Sequence, residues 1–488
     1  MDWSHLAEEE IKRYHRDRKT KLDFSCLVLR RLPDLSKVTG STFYSNKILL
    51  TTLICDGNQL TELPENLPDT LKKIDCSENR LTRLPHRLPS QLQVLKLHHN
   101  QITWLPVNLP KSLKILDCSH NRISRISEHL QNLPKSLVKF NCSFNQLTSL
   151  PENLPDSISI LYCSQNRLTR LPDKLPDSLK YLCCIGNLIQ MLPTNLPEHL
   201  TILNCGGNRI EKLSENLPKS LVQLICYDNK IMELPNMLPD SLKQLHCNGN
   251  QISTIPDNLP DSLIEIGCVV NQLSKLPNKL PKNLHLLNCD YNQLTDLPDT
   301  LPESVRILRC SNNQITCLPV NLPESLKNLY CEFNQIVMIP NNLPDSLEML
   351  YCSHNRLEYL PEKMPKSLQT LNCCYNLLKI LPDQLPNLNY LNCDGNTMLV
   401  MPKNLPKTLR ILSCCEIPLV RLPLNLRSND CRVHCENREL LYLNEAKRMM
   451  LVSFIRNKWK KRYRQWIICK RMHRYVDPDC SKIIAGYL

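Results

Sequence analysis

Cysteine recurs every 21 residues along most of this 488-residue chain, which holds 26 cysteines in all. A spaced row of thiols can do three kinds of chemistry: bridge, bind a metal, or supply a nucleophile. Seventeen of the thiols, from Cys55 to Cys414, occupy one slot of a repeated phrase such as "LKQLHCNGNQISTIP", and Leu97 fills that slot once. A slot that accepts leucine asks for a small hydrophobe, which is how buried free cysteine behaves. Leucines flank each slot and no histidine converges on it, which argues against a metal column. Bridging fails on direction, because parallel inward side chains leave the sulfurs side by side rather than opposed. The charged start "MDWSHLAEEEIKRYHRDRK" has no apolar core of a secretory signal. Free thiols in a reducing, cytoplasmic setting are therefore expected.

The thiols must be positioned by a repeated element. Asparagine marks its period, from Asn58 to Asn396 in 21-residue steps broken by one step of 24 and one of 20, giving seventeen frames. Two degenerate frames flank them: "LDFSCLVLRRLP" at 22–33, with Leu27 in the asparagine slot, and "LRILSCCEIPLVRLP" at 409–423, with Ile417 there. Leu242, Leu245, Cys247, Asn250 and Ile252 fit the L-x-x-L-x-L-x-x-N-x-L pattern of a leucine-rich repeat. Period-two alternation turns Leu245 and Cys247 inward and Gln244, His246 and Asn248 outward. The asparagine amide donates and accepts at once, so a ladder of asparagines through the stack is expected. The segment "TIPDNLPDS" holds two X-Pro steps, which exclude a helix and favour extended or polyproline backbone.

One coil buries too little apolar surface to offset its own ordering, so neighbours must stack. The fold class is an α/β solenoid: a leucine-rich repeat horseshoe with 21-residue repeats, a parallel concave sheet, an extended or polyproline convex side and helical ends. Three regions follow: an N-terminal capping helix at 1–21, the repeat array at 22–424 and a basic helical tail at 425–488. Trp3, Leu6, Ile11 and Tyr14 give the first its apolar stripe, with Ser4 and Glu8 to Glu10 suiting its start. Residues 34–50 lack the frame and are expected to form a loop.

Charge divides the chain. The whole carries +13, of which residues 51–424 hold 35 basic and 34 acidic side chains, and 425–488 hold 15 basic and 6 acidic. A near-neutral array lacks the basic face needed to read nucleic acid along its length. No run of 18 apolar residues suits a membrane span.

The phrase "LPxNLPxSLxxLxCSxNQLTxLP" resembles the short, proline-containing leucine-rich repeats of YopM/IpaH-type bacterial effectors, over residues 1 to about 424. Its cysteine-rich form is similar to leucine-rich repeat proteins of giant, mimivirus-type DNA viruses. The resemblance implies a viral protein in the host cytoplasm, a monomer, acting in host–virus interaction as a non-enzymatic scaffold for protein partners, with no cofactor.

Partner binding is expected on outward aromatics: Tyr330, Phe333, Tyr351, His354, Tyr375 and Tyr390 in the C-terminal half, and a sparser group of Phe144, Tyr162, Tyr181 and Tyr227. The alternative is that tyrosine merely suits an open strand face. In the tail, residues 438–475 contain no Pro or Gly, and eleven basic and no acidic residues lie between Lys447 and Arg474. Lys458, Lys460, Lys461, Arg462, Arg464, Lys470 and Arg471 belong to this run. It suits either a capping helix with a solvated basic face or a helix that binds an anionic membrane, nucleic acid or a calmodulin-like groove.

Two catalytic or metal alternatives remain. "CENRELLYLNEAKRMMLV" from Cys435 resembles the Cys-Glu-Asp-Arg phrase of the IpaH ubiquitin ligases, which implies Cys435 as nucleophile with His434 favouring its thiolate. Asn437 replaces the aspartate, and only about 64 residues follow the repeats. Cys431, His434, Cys435, Cys469, His473 and Cys480 offer zinc donors at loose spacings. No Gly-rich phosphate loop or Ser-His-Asp set stands out. Fast-reacting thiols are expected at Cys374, Cys415 and Cys431.

Overall fold

A computed structural model describes residues 4–33, 35, 49–125, 133–383, 385, 387–418 and 431–435. The chain divides into two compact units, Met1–Ile231 and Met232–Leu488. Each is built from the same coil, which has a strand of three residues whose middle side chain is buried and whose flanking two are half-exposed. The following cysteine slot is buried as well, so the inward pair Leu245 and Cys247 falls where alternation puts it.

In the first unit, α1 (Ser4–Arg16) packs on β1 (Lys21–Asp23) through a face that buries Ala7 and Tyr14. The strands continue as β2 (Thr52–Ile54), β3 (Lys73–Asp75), β4 (Val94–Lys96), β5 (Ile115–Asp117), β6 (Lys139–Asn141), β7 (Ile160–Tyr162), β8 (Tyr181–Cys183), β9 (Ile202–Asn204) and β10 (Gln223–Ile225). Each pairs in parallel with the next, one coil further along, with no register shift.

The second unit repeats the scheme. Its strands are β11 (Gln244–His246), β12 (Glu265–Gly267), β13 (Leu286–Asn288), β14 (Ile307–Arg309), β15 (Asn328–Tyr330), β16 (Met349–Tyr351), β17 (Thr370–Asn372), β18 (Tyr390–Asn392), β19 (Ile411–Ser413) and β20 (Arg432–His434). β20 lies beyond residue 424, where the repeat frame was expected to stop. It pairs with β19 so that Val433 faces Leu412, which puts Cys435 in the cysteine slot of one more coil.

Outside the strands the described coils contain no helix, as the X-Pro steps require. The Leu-Pro-x-Ser-Leu phrase instead closes a turn, with the Pro110 carbonyl accepting from Leu113 N–H at 3.0 Å. Its serine reaches back one coil: Ser304 Oγ donates to the Leu284 carbonyl at 2.7 Å. This second ladder was not anticipated, although serine or threonine fills the slot in most coils.

The asparagine ladder is present and fully used. Asn292 is buried; its Nδ2 donates to the carbonyls of Cys268, Cys289 and Asp290 at 2.9, 3.0 and 3.2 Å, and its Oδ1 accepts from Leu273 N–H at 3.0 Å. The residue just before each asparagine takes a left-handed backbone, as at Gly249 (φ 65°) and Phe333 (φ 54°). Glycine takes this conformation freely, whereas other residues carry strain.

Cysteine suits its slot for two reasons. It fills the space of a small hydrophobe, and its thiol is a weak donor to the next coil: Cys289 Sγ lies 3.2 Å from the Arg309 carbonyl. Burial pushes these thiols up, to about 12 at Cys205 and at Cys247. The expectation of fast reaction at Cys374 is corrected: Cys374 is only 6% exposed and burial pushes it up to about 12, whereas Cys431 is half-exposed, with burial raising it to about 11. Cys26 and Cys317 are exposed instead. Native labelling with a maleimide should therefore mark Cys26 and Cys317 within minutes, and Cys289 and its column only after denaturation. Early labelling of Cys289, read by peptide mass spectrometry, would contradict the burial argument.

Candidate aromatic binding face

The open face of the second unit's sheet carries aromatic rings in two columns. Tyr330 ends β15 and Tyr351 ends β16; they are register partners, and their rings stack 4.9 Å apart at 15°. Both phenols are held above their usual range, chiefly by burial. Arg309, at the end of β14, lies over the Tyr330 ring at 4.5 Å and pairs through Nε with Asp290 at 3.1 Å.

Phe333, His354 and Tyr375 form the second column. Phe333 stacks on His354 at 4.1 Å and 10°, and His354 on Tyr375 at 4.6 Å and 16°. The sequence reading placed these three, with Phe144, among outward strand positions. They stand instead two residues after the cysteine, in the left-handed turn, with φ between 50° and 55°. The parallel stacking explains how aromatic residues persist there: each turn presents its ring to the next coil's ring, and that contact offsets the strain. Burial lowers the His354 imidazole, favouring the neutral ring that stacks. Tyr375 rests over Gly395, where an added Cβ would come within 2.4 Å of the ring. Its hydroxyl reaches Glu416 Oε1 at 3.3 Å. Phe333 is 49% exposed and Tyr375 42%.

Tyr390 occupies the first position of β18, a different column from either stack; burial pushes it up to about 12.

Between the two columns runs a row that sequence reasoning passed over. Glu332 and Asp394 lie in it, both half-buried and both raised above the usual carboxyl range first by that burial. Ser311 and Ser353 donate to Glu332 at 3.4 and 3.3 Å, and Ser413 donates to Asp394 at 2.8 Å. The signal was available in the slot after each cysteine, which reads Asp290, Ser311, Glu332, Ser353, Cys374, Asp394.

In the first unit the sparser group is less coherent. Phe144 ends a stack that also contains His99 and His120, with successive centroids 4.0 Å apart. The histidines were missed because only phenyl and phenol rings were sought there. Tyr162 and Tyr181 meet at 4.9 Å but tilt by 44°. Tyr227 lies over Gly206, where an added Cβ would come within 2.6 Å of its ring, so part of its surface is committed to packing.

Cys435 was considered as a nucleophile assisted by His434. Its place in the cysteine slot gives it a packing role, and its thiol is lowered first by a hydrogen bond from Cys414, not by His434. Among the described residues no group of three His, Cys, Asp or Glu is arranged for a metal ion. Cys469, His473, Cys480, Trp3 and the basic run from Lys447 to Arg474 lie outside the described residues. Among the described residues, no helix is long and apolar enough to cross a membrane.

The arrangement has known counterparts. The Leucine Rich Repeat family pattern matches residues 112–133. YopM from Yersinia enterocolitica is similar at 31% identity, covering 89% of this chain and 93% of that one, with a TM-score of 0.68. The chain belongs to the leucine-rich repeat family. Another leucine-rich repeat structure, the YopM effector of Yersinia pestis, is 28% identical, covers 82% of this chain and 93% of that one, and has a TM-score of 0.50. The functional domain of InlJ from Listeria monocytogenes, which includes a cysteine ladder, shares the fold at 24% identity over 63% of this chain and 68% of that one, with a TM-score of 0.51. No curated protein matches the leucine-rich repeat chain in sequence. Leucine-rich repeats of this kind are typical of protein–protein interaction scaffolds and in general are not enzymes.

Proposed function

We propose that the chain is a non-enzymatic scaffold that captures a host-cell protein on the open face of β15 to β18. The observation that carries this reading is the pair of ring stacks, with Phe333 and Tyr375 left 49% and 42% exposed on a sheet face. Stacked rings have already surrendered their rotamer freedom, so a partner gains aromatic contact area at little further ordering cost. Similarity to YopM, an effector, supports a role in another organism's cell.

The test replaces Tyr330, Tyr351 and Tyr375 together with serine. The rings point away from the buried leucines, so the far-ultraviolet spectrum and melting transition of the variant should stay close to those of the parent. Pull-down from host cytosol, followed by mass spectrometry, should lose the proteins that the parent retains. Retention of the same protein at undiminished affinity by a folded triple variant would place the site elsewhere.

A further inference from the structure

One part of the aromatic face is already filled by the chain itself, and it serves as a template for the part that is not. At Asp290 the carboxylate is matched by Arg309, whose guanidinium also lies on the Tyr330 ring. The same ingredients recur further along the row. Glu332 lies between the Tyr330–Tyr351 stack and the Phe333–His354–Tyr375 stack, yet β15 to β18 carry no Lys or Arg. Among the described residues no cation forms an ion pair with Glu332; the Arg309 charge lowers it only from further off, and its side-chain hydrogen-bond partners are two serine hydroxyls at 3.3 and 3.4 Å, long for hydrogen bonds. Asp394, three coils on, is held in place by Ser413 and the Cys415 N–H.

Building on the protein-binding reading above, we propose that this strip, with carboxylates as floor and rings as walls, receives lysine or arginine side chains from an extended segment of the protein partner. Charge complementarity and the Asp290–Arg309–Tyr330 precedent specify the cation. Aromatic faces attract ammonium and guanidinium groups, and partial burial strengthens the attraction. Both carboxyls are raised by burial, so an arriving cation stabilises their charged forms and is held the more tightly for it. Coils about 4.8 Å apart separate Glu332 from Asp394 by about 14 Å, which an extended peptide covers in about four residues. Two cations on the same side of the segment, about four residues apart, therefore fit the strip.

The experiment uses the full chain and a fluorescein-labelled peptide with two lysines about four residues apart in a Ser/Thr background, followed by fluorescence polarisation. The lysine peptide should bind, more weakly as salt rises, and its lysine-acetylated form should bind at least about tenfold more weakly. Glu332→Gln with Asp394→Asn, which keeps shape and removes charge, should lose about tenfold as well. Absence of binding, equal binding of the acetylated peptide, or a change under about twofold in the variant would overturn the proposal. Carbodiimide coupling identifies the occupant. Links from Glu332 or Asp394 to the peptide support the proposal; links to the chain's own lysines between 447 and 474 in their place would overturn the partner assignment. The two readings separate in the pull-down. Capture lost on removing the tyrosines but unchanged by Glu332→Gln with Asp394→Asn defeats the cation strip alone, whereas capture indifferent to both defeats both.

Discussion

Replacing Asn292 with alanine should lower the stability of its unit by about 2–4 kcal/mol, an unusually large effect for a residue with no part in binding. The Leu273 N–H loses Asn292 Oδ1, its acceptor in the ladder, in a place closed to water. The Cys268 and Cys289 carbonyls fare better, because Asn271 and Asn313 also donate to them at 3.1 and 3.0 Å. The Asp290 carbonyl, the third acceptor, keeps the Val270 N–H at 3.0 Å, so the cost is one orphaned donor and three weakened acceptors rather than four orphans. Chemical denaturation followed by circular dichroism measures the loss, and hydrogen exchange at Leu273 locates it. Gln293→Ala, at the exposed neighbouring position, should change stability by no more than about 0.5 kcal/mol. A similarly small change for Asn292→Ala would show that the ladder contributes little.

The second large effect is expected at Phe140, in the middle of β6. Its slot holds Leu116 in the preceding strand and Leu161 in the following one, and Phe140 is fully buried. Phe140→Ala opens a cavity that rigid neighbouring coils cannot close and should cost about 3–5 kcal/mol. Phe140→Leu returns the slot to the residue its neighbours use and should cost less than about 1.5 kcal/mol. Equal losses for the two variants would mean that the ring is not packed as the structure places it. Because stacked repeats open locally, both measurements call for a residue-resolved probe beside the global transition.

What could be read in advance was whatever every coil demands alike. Leu245, Cys247 and Asn250 answer to the same inward packing and the same unpaired backbone groups as their counterparts one coil away, so repetition made their roles legible. The aromatic face was only half legible. Tyr330 and Tyr351 sit on strands, where alternation predicts their direction. The positions of Phe333, His354 and Tyr375 depend on a left-handed turn that single-residue preference disfavours for aromatics, and on rings donated by adjacent coils. Glu332 went unnoticed because a carboxylate on an outward slot looks like ordinary solvated charge until the flanking stacks close around it. The coil that holds Cys435 was hidden for a different reason. The interval from Cys414 to Cys435 is again 21 residues, but the leucines and the asparagine that would have announced another coil had eroded. The frame survived in spacing after it had vanished from composition.

The asparagine bonds all run one way, and that gives each unit a direction in time as well as in space. A coil's leucine N–H is closed by an oxygen 19 residues later in the chain, as Leu273 is by Asn292. During synthesis the newest coil thus emerges with an open donor that only its successor can cover. At about 5–20 residues per second the wait is on the order of one to four seconds, renewed at every coil. The nascent array always presents one unfinished edge to water or to a chaperone, and that edge advances with the ribosome. It comes to rest where the code changes: Ile417 follows in the asparagine slot, and Leu399 turns its N–H back to the Asn396 carbonyl at 3.0 Å, so the last rung closes without waiting for another.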